Sequence, residues 1–233
     1  MYKSKRTPKE VRGALLGTLL GDSYVTMGNC FGCEQITLSL IAYKADLISH
    51  YLGYVPDIKE RERQGVVIEG RHVNSRRTFS IRGRHEVFKK FHKKLYKTGT
   101  KQLNINLLKF LSPEGIALWL MDDGYMDYKK SSCTRNIRIC TDSFDELSHQ
   151  AIIRYFKEVW CIDSKVYWHK RNKDAEPKPR ISFNASNSQK VVCLVYKYML
   201  PEMYYKIDMR YKEKTVQSKR CSDGYREALK YIS

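Results

Sequence analysis

Two apolar segments of the sequence share one pattern: GALLGTLLGD at residues 13–22 and EGIALWLMDDG at residues 114–124. Each follows a hydroxyl residue and a proline, at residues 7–8 and 112–113. A Ser or Thr hydroxyl caps free backbone N–H groups, and proline fits the first helical turn without losing a bond. Each segment is therefore predicted to form a helix that ends at an aspartate.

The residues that follow each of these helices also repeat. Residues 35–40 and 136–140 alternate polar and apolar side chains, which indicates half-buried strands. The further predicted elements come in the same order in both halves: helices near residues 43–52 and 144–159, strands at residues 76–82 and 180–184, and helices near residues 85–96 and 189–199. The sequence predicts an α+β fold of two pseudo-twofold related αββαββα subdomains with antiparallel sheets.

Four regions of the chain follow from this repeat. The first repeat covers residues 7–97 and the second covers residues 112–208. An inter-repeat linker at residues 98–111 joins them, and a basic, weakly patterned tail occupies residues 209–233.

The charge of the chain points to a polyanionic partner. Its 233 residues include 43 Lys and Arg against 25 Asp and Glu, a formal net charge of +18. An excess of this size is typical of nucleic-acid-binding proteins. No apolar stretch is long enough to span a bilayer and no signal peptide is visible, so we expect an intracellular protein that works where it is made, in a bacterial or phage-infected cytoplasm or in an organelle.

The cysteines indicate neither a zinc site nor a disulfide framework. Cys30 and Cys33 have metal-ligand spacing, but no second Cys or His pair follows at zinc-finger distance. Their neighbours Gly28, Asn29 and Gly32 predict a hairpin loop instead.

The first predicted helix has one face lined with small groups: Ala14, Gly17, Thr18 and Gly21. The corresponding face of the second carries Gly115, Leu118, Trp119 and Asp122. Small residues at this spacing let two backbones approach closely.

If the two helices pack as a pseudo-twofold pair, Asp22 and Asp123 emerge together at their C-terminal ends. Two carboxylates there repel each other and the partial negative charge of the helix ends. A divalent cation with a preference for oxygen, such as Mg²⁺, would hold both in the ionised state. Asp122 is the competing candidate in the second segment, and Asp123 is favoured because it keeps the repeat in register. Such a pair on a basic protein predicts phosphodiester hydrolysis.

The two segments resemble the signature helices of the LAGLIDADG homing endonucleases, in the single-chain form with two motifs and particularly the intron-encoded type of yeast mitochondria. The resemblance rests on LLGDSY at residues 19–24 and WLMDDG at residues 119–124. It implies that Asp22 and Asp123 bind Mg²⁺ (or Mn²⁺) between the helices, with the backbone carbonyls of Gly21 and Asp122 as additional candidate ligands. It also implies that each subdomain lays a saddle-shaped sheet in the DNA major groove.

The resemblance further implies a lysine close to the active site near the end of each half. Lys206 lies in a segment that matches the family pattern closely. Lys101 is the counterpart in the first half, although Asn104 stands where the family usually has proline. Lys97 is the alternative to Lys101. A lysine at this place could polarise the phosphate or tune the nucleophilic water.

Alternation along the strands predicts a polar sheet face for contacts with DNA. Side chains of these types suit base edges and phosphates. The candidates in the first half are Gln35, Thr37, Ser39, Lys59, Arg61, Arg63, Arg76, Thr78, Ser80 and Arg82. Those in the second half are Asn136, Arg138, Lys165, Tyr167, His169, Arg171, Arg180, Ser182 and Asn184.

The resulting hypothesis is a monomeric, magnesium-dependent, site-specific double-strand DNA endonuclease that acts on a long, asymmetric target. The resemblance implies cutting across the minor groove to leave short 3′ overhangs, and a role in intron mobility. The alternatives are an RNA maturase that binds its own intron RNA, and a non-cleaving DNA-binding protein of the same fold. Neither binding function requires Asp22 and Asp123, so their presence favours the enzyme. A structural RNA-binding protein would leave the paired motif unexplained.

Overall fold

The computed structural model describes residues 6–68, 71–97, 99–129, 134–170 and 175–208, arranged as two similar halves. The first half comprises α1 (Pro8–Leu20), β1 (Ser23–Val25), β2 (Cys30–Gln35), α2 (Leu38–Leu52), β3 (Lys59–Arg63), β4 (Val66–Ile68), β5 (Arg71–Val73), β6 (Arg76–Arg84) and α3 (Glu86–Leu95). A short helix, α4 (Ile105–Leu108), follows. The second half comprises α5 (Pro113–Asp123), β7 (Gly124–Lys129), β8 (Thr134–Cys140), α6 (Glu146–Trp160), β9 (Lys165–His169), β10 (Lys178–Ser182), α7 (Ala185–Val195) and 3₁₀ turns at Tyr196–Tyr198 and Pro201–Lys206.

Each half contains a four-stranded antiparallel sheet. The strand order is β1-β2-β6-β3 in the first half and β7-β8-β10-β9 in the second. The two orders correspond strand for strand, which confirms the predicted α+β fold with a repeated subdomain. Strands β4 and β5 form an additional two-stranded sheet in the first half that the sequence pattern did not predict.

The motif helices α1 and α5 begin at the predicted caps and form the centre of the core. The Thr7 side chain accepts a hydrogen bond from the Glu10 backbone N–H, and Glu10 bonds back to the Thr7 N–H in a capping box. The Ser112 side chain accepts from the Gly115 N–H in the same way. All residues of α1 from Gly13 to Leu20 and all residues of α5 from Glu114 to Met121 are buried, as expected of segments that are apolar on all sides.

Two local expectations were wrong around the second strand of the first half. Residues 35–40 do not form a strand, because β2 ends at Gln35 and α2 begins at Leu38. Cys30 and Cys33 lie within β2 and not in a hairpin loop. The physical reason is that the short alternation at residues 35–40 also suits the start of α2, whose helical spacing buries Leu40, Ile41, Ala45 and Ile48.

The remaining helices and strands lie closer to their predicted bounds. Helices α2, α3, α6 and α7 overlap the four predicted helices, and β10 ends two residues before the predicted limit. The predicted linker at residues 98–111 contains α4, and the tail at residues 209–233 lies outside the described residues. Within the described part of the chain, no helix is both long and apolar enough to span a membrane.

Candidate active site and nucleic-acid interface

Helices α1 and α5 approach so closely that their backbones touch. A Cβ atom on Gly17 would overlap the backbone of Gly115, and one on Gly115 would overlap the carbonyl of Gly13. This contact confirms the predicted small-residue face of α1. The opposing face of α5 makes the contact at its glycine, while Leu118 and Trp119 are fully buried beside it.

Because the two helices run side by side, the aspartates at their C-terminal ends are close enough for their charges to interact. Asp22 is exposed, whereas Asp123 is largely buried. Burial raises the pKa of Asp123 to about 7, and the negative charges of Asp22 and Asp122 add to the effect. Lys101 and Lys206 oppose it. The site therefore holds like charges at a distance where they interact strongly.

The two predicted lysines occupy equivalent places. Each Nζ donates hydrogen bonds to backbone carbonyls at the C-terminal end of a motif helix. Lys101 bonds to Gly21 O at 3.1 Å and to Ser23 O at 3.3 Å. Lys206 bonds to Asp122 O at 3.0 Å and to Met121 O at 2.6 Å. The carbonyls named as additional metal ligands are thus also lysine acceptors, and each keeps a second lone pair.

Burial lowers the pKa of both Lys101 and Lys206, against the opposing effect of the three nearby aspartates. Lys97, the alternative to Lys101, is exposed and makes no such contact among the described residues. Asn104, which stands where the family usually has proline, caps α4 because its side chain accepts from the Leu107 N–H at 3.0 Å. The departure from the family pattern therefore leaves Lys101 in position.

The donor set at the helix ends suits a divalent cation that also binds substrate. Within the described ranges, no three His, Cys, Asp or Glu side chains form a complete protein metal site. Mg²⁺, however, is usually held by one or two carboxylates, with substrate phosphates and waters filling its other positions. The oxygens of Asp22 and Asp123, whose mutual repulsion a cation would relieve, fit that mode of binding.

Asp122 has a different environment from its neighbour Asp123. Its side chain and that of Lys44 are fully buried, and Lys44 Nζ lies 2.8 Å from both carboxylate oxygens. Burial lowers the pKa of Lys44, but its contacts with Asp122 and Cys33 together outweigh burial and the net shift of the pKa is upward. The preference for Asp123 over Asp122 as the side-chain metal ligand is therefore consistent with the structure, which commits Asp122 to an ion pair.

Gln35 belongs to this centre and not to the polar sheet face on which it was predicted. In β2 it shares a face with Phe31 and Cys33, both buried, and it pairs with Phe79 of β6. Its Nε2 donates to Asp22 Oδ2 at 2.7 Å and to Asp122 Oδ1 at 3.0 Å. The reason for the error is the wrong strand boundary, which assigned Gln35 to the opposite face.

Sequence reasoning also missed Lys44. The available signal was a lysine on the apolar face of a predicted helix, between Ile41 and Ile48. Its partner Asp122 is 78 residues away in the sequence, so local spacing could not identify it.

The polar face of the first sheet contains most of the predicted contacts. Cross-strand pairing places these side chains on one face: Arg63 with Arg76, Arg61 with Thr78, Lys59 with Ser80, and Arg82 opposite Gly32. Lys59, Arg61, Arg76 and Arg82 are exposed. Arg63 forms an exposed ion pair with Glu34, and Thr78 is buried beneath its neighbours. This face can approach a polyanion with several exposed cations.

The corresponding face of the second sheet is more internally bonded. It brings together Asn136, Arg138, Lys165, Tyr167, His169, Arg180 and Ser182 through the pairing of β8, β9 and β10. Arg138 Nη2 lies 2.8 Å from Asp127, and its Cζ stacks 3.6 Å from the centre of the Tyr167 ring. Arg180 pairs with Asp142. DNA contact by this face remains a prediction, as it does for the first sheet.

Three predicted DNA contacts lack the support of a sheet position, and a fourth lies outside the described residues. Thr37 precedes the first residue of α2, and Ser39 lies in its first turn, where its hydroxyl bonds to Glu202. Asn184 caps α7 by accepting from the Asn187 N–H. The strand argument for these three residues is therefore wrong, because helices begin where strands were expected. Arg171 lies outside the described residues.

Comparisons with known proteins identify the family and the fold of the chain. The sequence profile of the LAGLIDADG DNA endonuclease family matches residues 12–191. The solved structure of the homing endonuclease I-WcaI bound to its DNA recognition sequence is 22% identical and has a TM-score of 0.70, over 88% of this chain and 89% of that chain. It shares the fold of this protein.

Two curated relatives are RecA proteins. Those of Mycolicibacterium chitae and Mycobacterium gastri are 27% and 28% identical over 121 and 120 residues, which is 49% and 48% of this chain. The matched region spans 28% of the length of each RecA protein, so the similarity concerns one segment of those proteins.

Proposed function

Because the chain belongs to the LAGLIDADG DNA endonuclease family, whose profile matches residues 12–191, we propose that it is a homing endonuclease that cuts both strands of a specific DNA site. The observation that supports this proposal most strongly is the pair of carboxylates, Asp22 and Asp123, at the ends of two tightly packed helices. A protein that only binds nucleic acid gains nothing from two mutually repelling acids at the centre of a basic surface.

Asp22 and Asp123 would hold the divalent cation, which we propose is Mg²⁺, or Mn²⁺ in its place. When bound, such a cation activates water and stabilises the leaving oxygen of a phosphodiester. Lys101 and Lys206 are fixed by the helix-end carbonyls, so their charges lie beside the acids without needing to reorganise. Their lowered pKa values also suit them to exchange a proton with water near the scissile phosphate.

The two sheet faces supply the recognition surface. They present different side chains, since the first exposes Arg61, Arg76 and Arg82, whereas Arg138 and Arg180 of the second are in ion pairs. We therefore propose a long, asymmetric target bound by one protein molecule, cut to leave short 3′ overhangs. Host DNA that lacks the intron is the proposed substrate, and intron mobility is the proposed biological role.

The test uses the host sequences that flank the reading frame, joined in a supercoiled plasmid. With Mg²⁺ the protein is expected to linearise this plasmid at one site. Asp22→Asn and Asp123→Asn are each expected to abolish double-strand cutting and to retain binding in a gel-shift assay with Ca²⁺. Full double-strand cutting by either variant would overturn the assignment of the acids. No cutting by the wild-type protein, together with tight binding to intron RNA, would favour the maturase.

A further inference from the structure

The carboxylate of Asp122 lies across the helix interface and holds the end of the opposite motif helix. It is fully buried, although it comes from the last turn of α5. Besides Lys44 Nζ, it accepts a hydrogen bond from the Asp22 backbone N–H at 3.1 Å and one from Gln35 Nε2 at 3.0 Å. One side chain of the second half therefore fixes both a main-chain and a side-chain group of the first.

Gln35 extends this link to the carboxylate of Asp22. Its amide nitrogen carries two hydrogens, and the two distances of 2.7 Å and 3.0 Å allow one to be donated to Asp22 and the other to Asp122. Asp22 is thus tied to Asp122 through its backbone N–H and, by way of Gln35, through its side chain. Lys44 neutralises the charge that this arrangement buries, which would otherwise be costly.

Asp123 lacks an equivalent support. The repeat that aligns Asp22 with Asp123 aligns Gly21 with Asp122, so the first half has no carboxylate to place across the interface. In the part of the chain that the structure describes, no side chain donates a hydrogen bond to the Asp123 carboxylate. A Cβ atom on Gly21 would also collide with the Asp122 side chain. The absence of a side chain at residue 21 therefore creates the space that Asp122 occupies.

We propose that Lys44 and Asp122 are positioning residues for Asp22 alone, so that the two halves of the active centre are organised unequally. This inference rests on the proposed function, because its consequence is seen in strand cleavage. Loss of the pair releases Asp22 but leaves Asp123 under its own constraints. One DNA strand is then cut much more slowly than the other.

The variant that tests this inference is the double substitution Lys44→Met with Asp122→Ala, which leaves no side-chain acceptor at residue 122. It removes both buried charges together, whereas loss of one partner alone would leave an uncompensated charge in the core. It also retains the backbone carbonyl of Asp122, to which Lys206 bonds. The matched control is Glu114→Gln, which perturbs another buried ion pair of α5, that of Glu114 with Arg6, at the opposite end of the helix.

The first measurement is made on the metal-free protein by hydrogen exchange of backbone amides. The Asp22 N–H is expected to lose protection in the double variant and to keep it in Glu114→Gln, because only the first removes its acceptor. Unchanged protection of Asp22 in the double variant would overturn the positioning role, whether or not the protein cuts DNA.

The second measurement follows each end-labelled strand of the plasmid target with Mg²⁺. In the double variant, cutting of one strand is expected to slow by about 10–100-fold, as is typical when support for a metal ligand is lost, and nicked circles should accumulate. Glu114→Gln should cut both strands in the wild-type ratio. Equal slowing of both strands, or no slowing, would overturn this inference and leave the proposed function intact. Failure of the wild-type protein to cut either strand would instead overturn the proposed function and the strand assignment with it.

Discussion

Replacing Asp123 with asparagine is expected to stabilise the metal-free protein while it abolishes cleavage. In the folded state the pKa of this carboxyl is raised from 3.8 to about 7, first by burial and then by Asp22 and Asp122. The folded protein therefore binds a proton at Asp123 over a pH range in which the unfolded chain has released it. The contribution of the protonated Asp123 carboxyl to the free energy of unfolding is therefore fully present below about pH 4 and is lost as the pH rises towards 7.

The magnitude follows from the shift. Each pKa unit corresponds to about 1.4 kcal/mol, so a rise of about three units costs the wild-type protein up to about 4 kcal/mol at neutral pH. Asparagine carries no charge and avoids this cost. The difference in free energy of unfolding between Asp123→Asn and wild type should grow by about 1.4 kcal/mol per pH unit between pH 4 and 7, and level off above that.

Urea denaturation in EDTA at several pH values between 4 and 8 measures this difference. Adding Mg²⁺ should then stabilise the wild-type protein and not the variant, because only the wild type has the complete pair of carboxylates. Asp57→Asn, at an exposed position, controls for the general effect of removing one negative charge from a basic protein. If the difference between Asp123→Asn and wild type did not change with pH, the argument that Asp123 is an electrostatically strained acid would be wrong.

Three further predictions concern packing, capping and DNA binding. Gly17→Ala should destabilise the protein by about 1–3 kcal/mol in urea denaturation, because the added Cβ overlaps the backbone of α5, whereas Gly28→Ala should change stability by less than about 0.5 kcal/mol. Ser112→Ala should cost about 1 kcal/mol in the same assay by removing the cap of α5. Arg61→Ala and Arg82→Ala should each weaken DNA binding and, where the arginine contacts a phosphate, reduce the slope of log affinity against log salt by about 0.9, as measured by fluorescence anisotropy. If both arginine variants kept the wild-type slope of log affinity against log salt, neither arginine would contact a phosphate.

The central helix pair was predictable because the information for it is local. Caps, small residues spaced at one helical turn and a terminal aspartate all lie within about 15 residues, and the sequence contains the pattern twice. Repetition also identified Asp22 and Asp123 as equivalent positions. Strand faces were predictable for the same reason where the alternation holds, as at the C-terminal end of β6, where Ile81 and Gly83 are buried and Arg82 and Arg84 are exposed.

The errors occurred where a short pattern suited two structures. Residues 35–40 alternate for too few positions to distinguish a strand from the start of a helix, and the choice of strand moved Gln35 to the wrong face. A strand end is also where a side chain can turn from the sheet towards the helix ends. The residue that links the sheet to the acid pair was therefore the one for which local alternation was least informative.

The differences between the two halves are more informative about the active centre than their similarities. A perfect repeat would place glycine or aspartate before the terminal acid in both motifs. Two aspartates would collide across the interface and bury two charges, and two glycines would leave the space between the helix ends unfilled. One glycine and one aspartate fill that space with a single carboxylate, which then requires a single cation, supplied by Lys44 of α2. The sequence shows that Gly21 in the first motif corresponds to Asp122 in the second. The lysine that compensates the buried charge of Asp122, however, is positioned by the packing of α2 against α1. In this chain, the closely packed helix ends are therefore completed by an unequal pair, Gly21 and Asp122, together with the cation of Lys44.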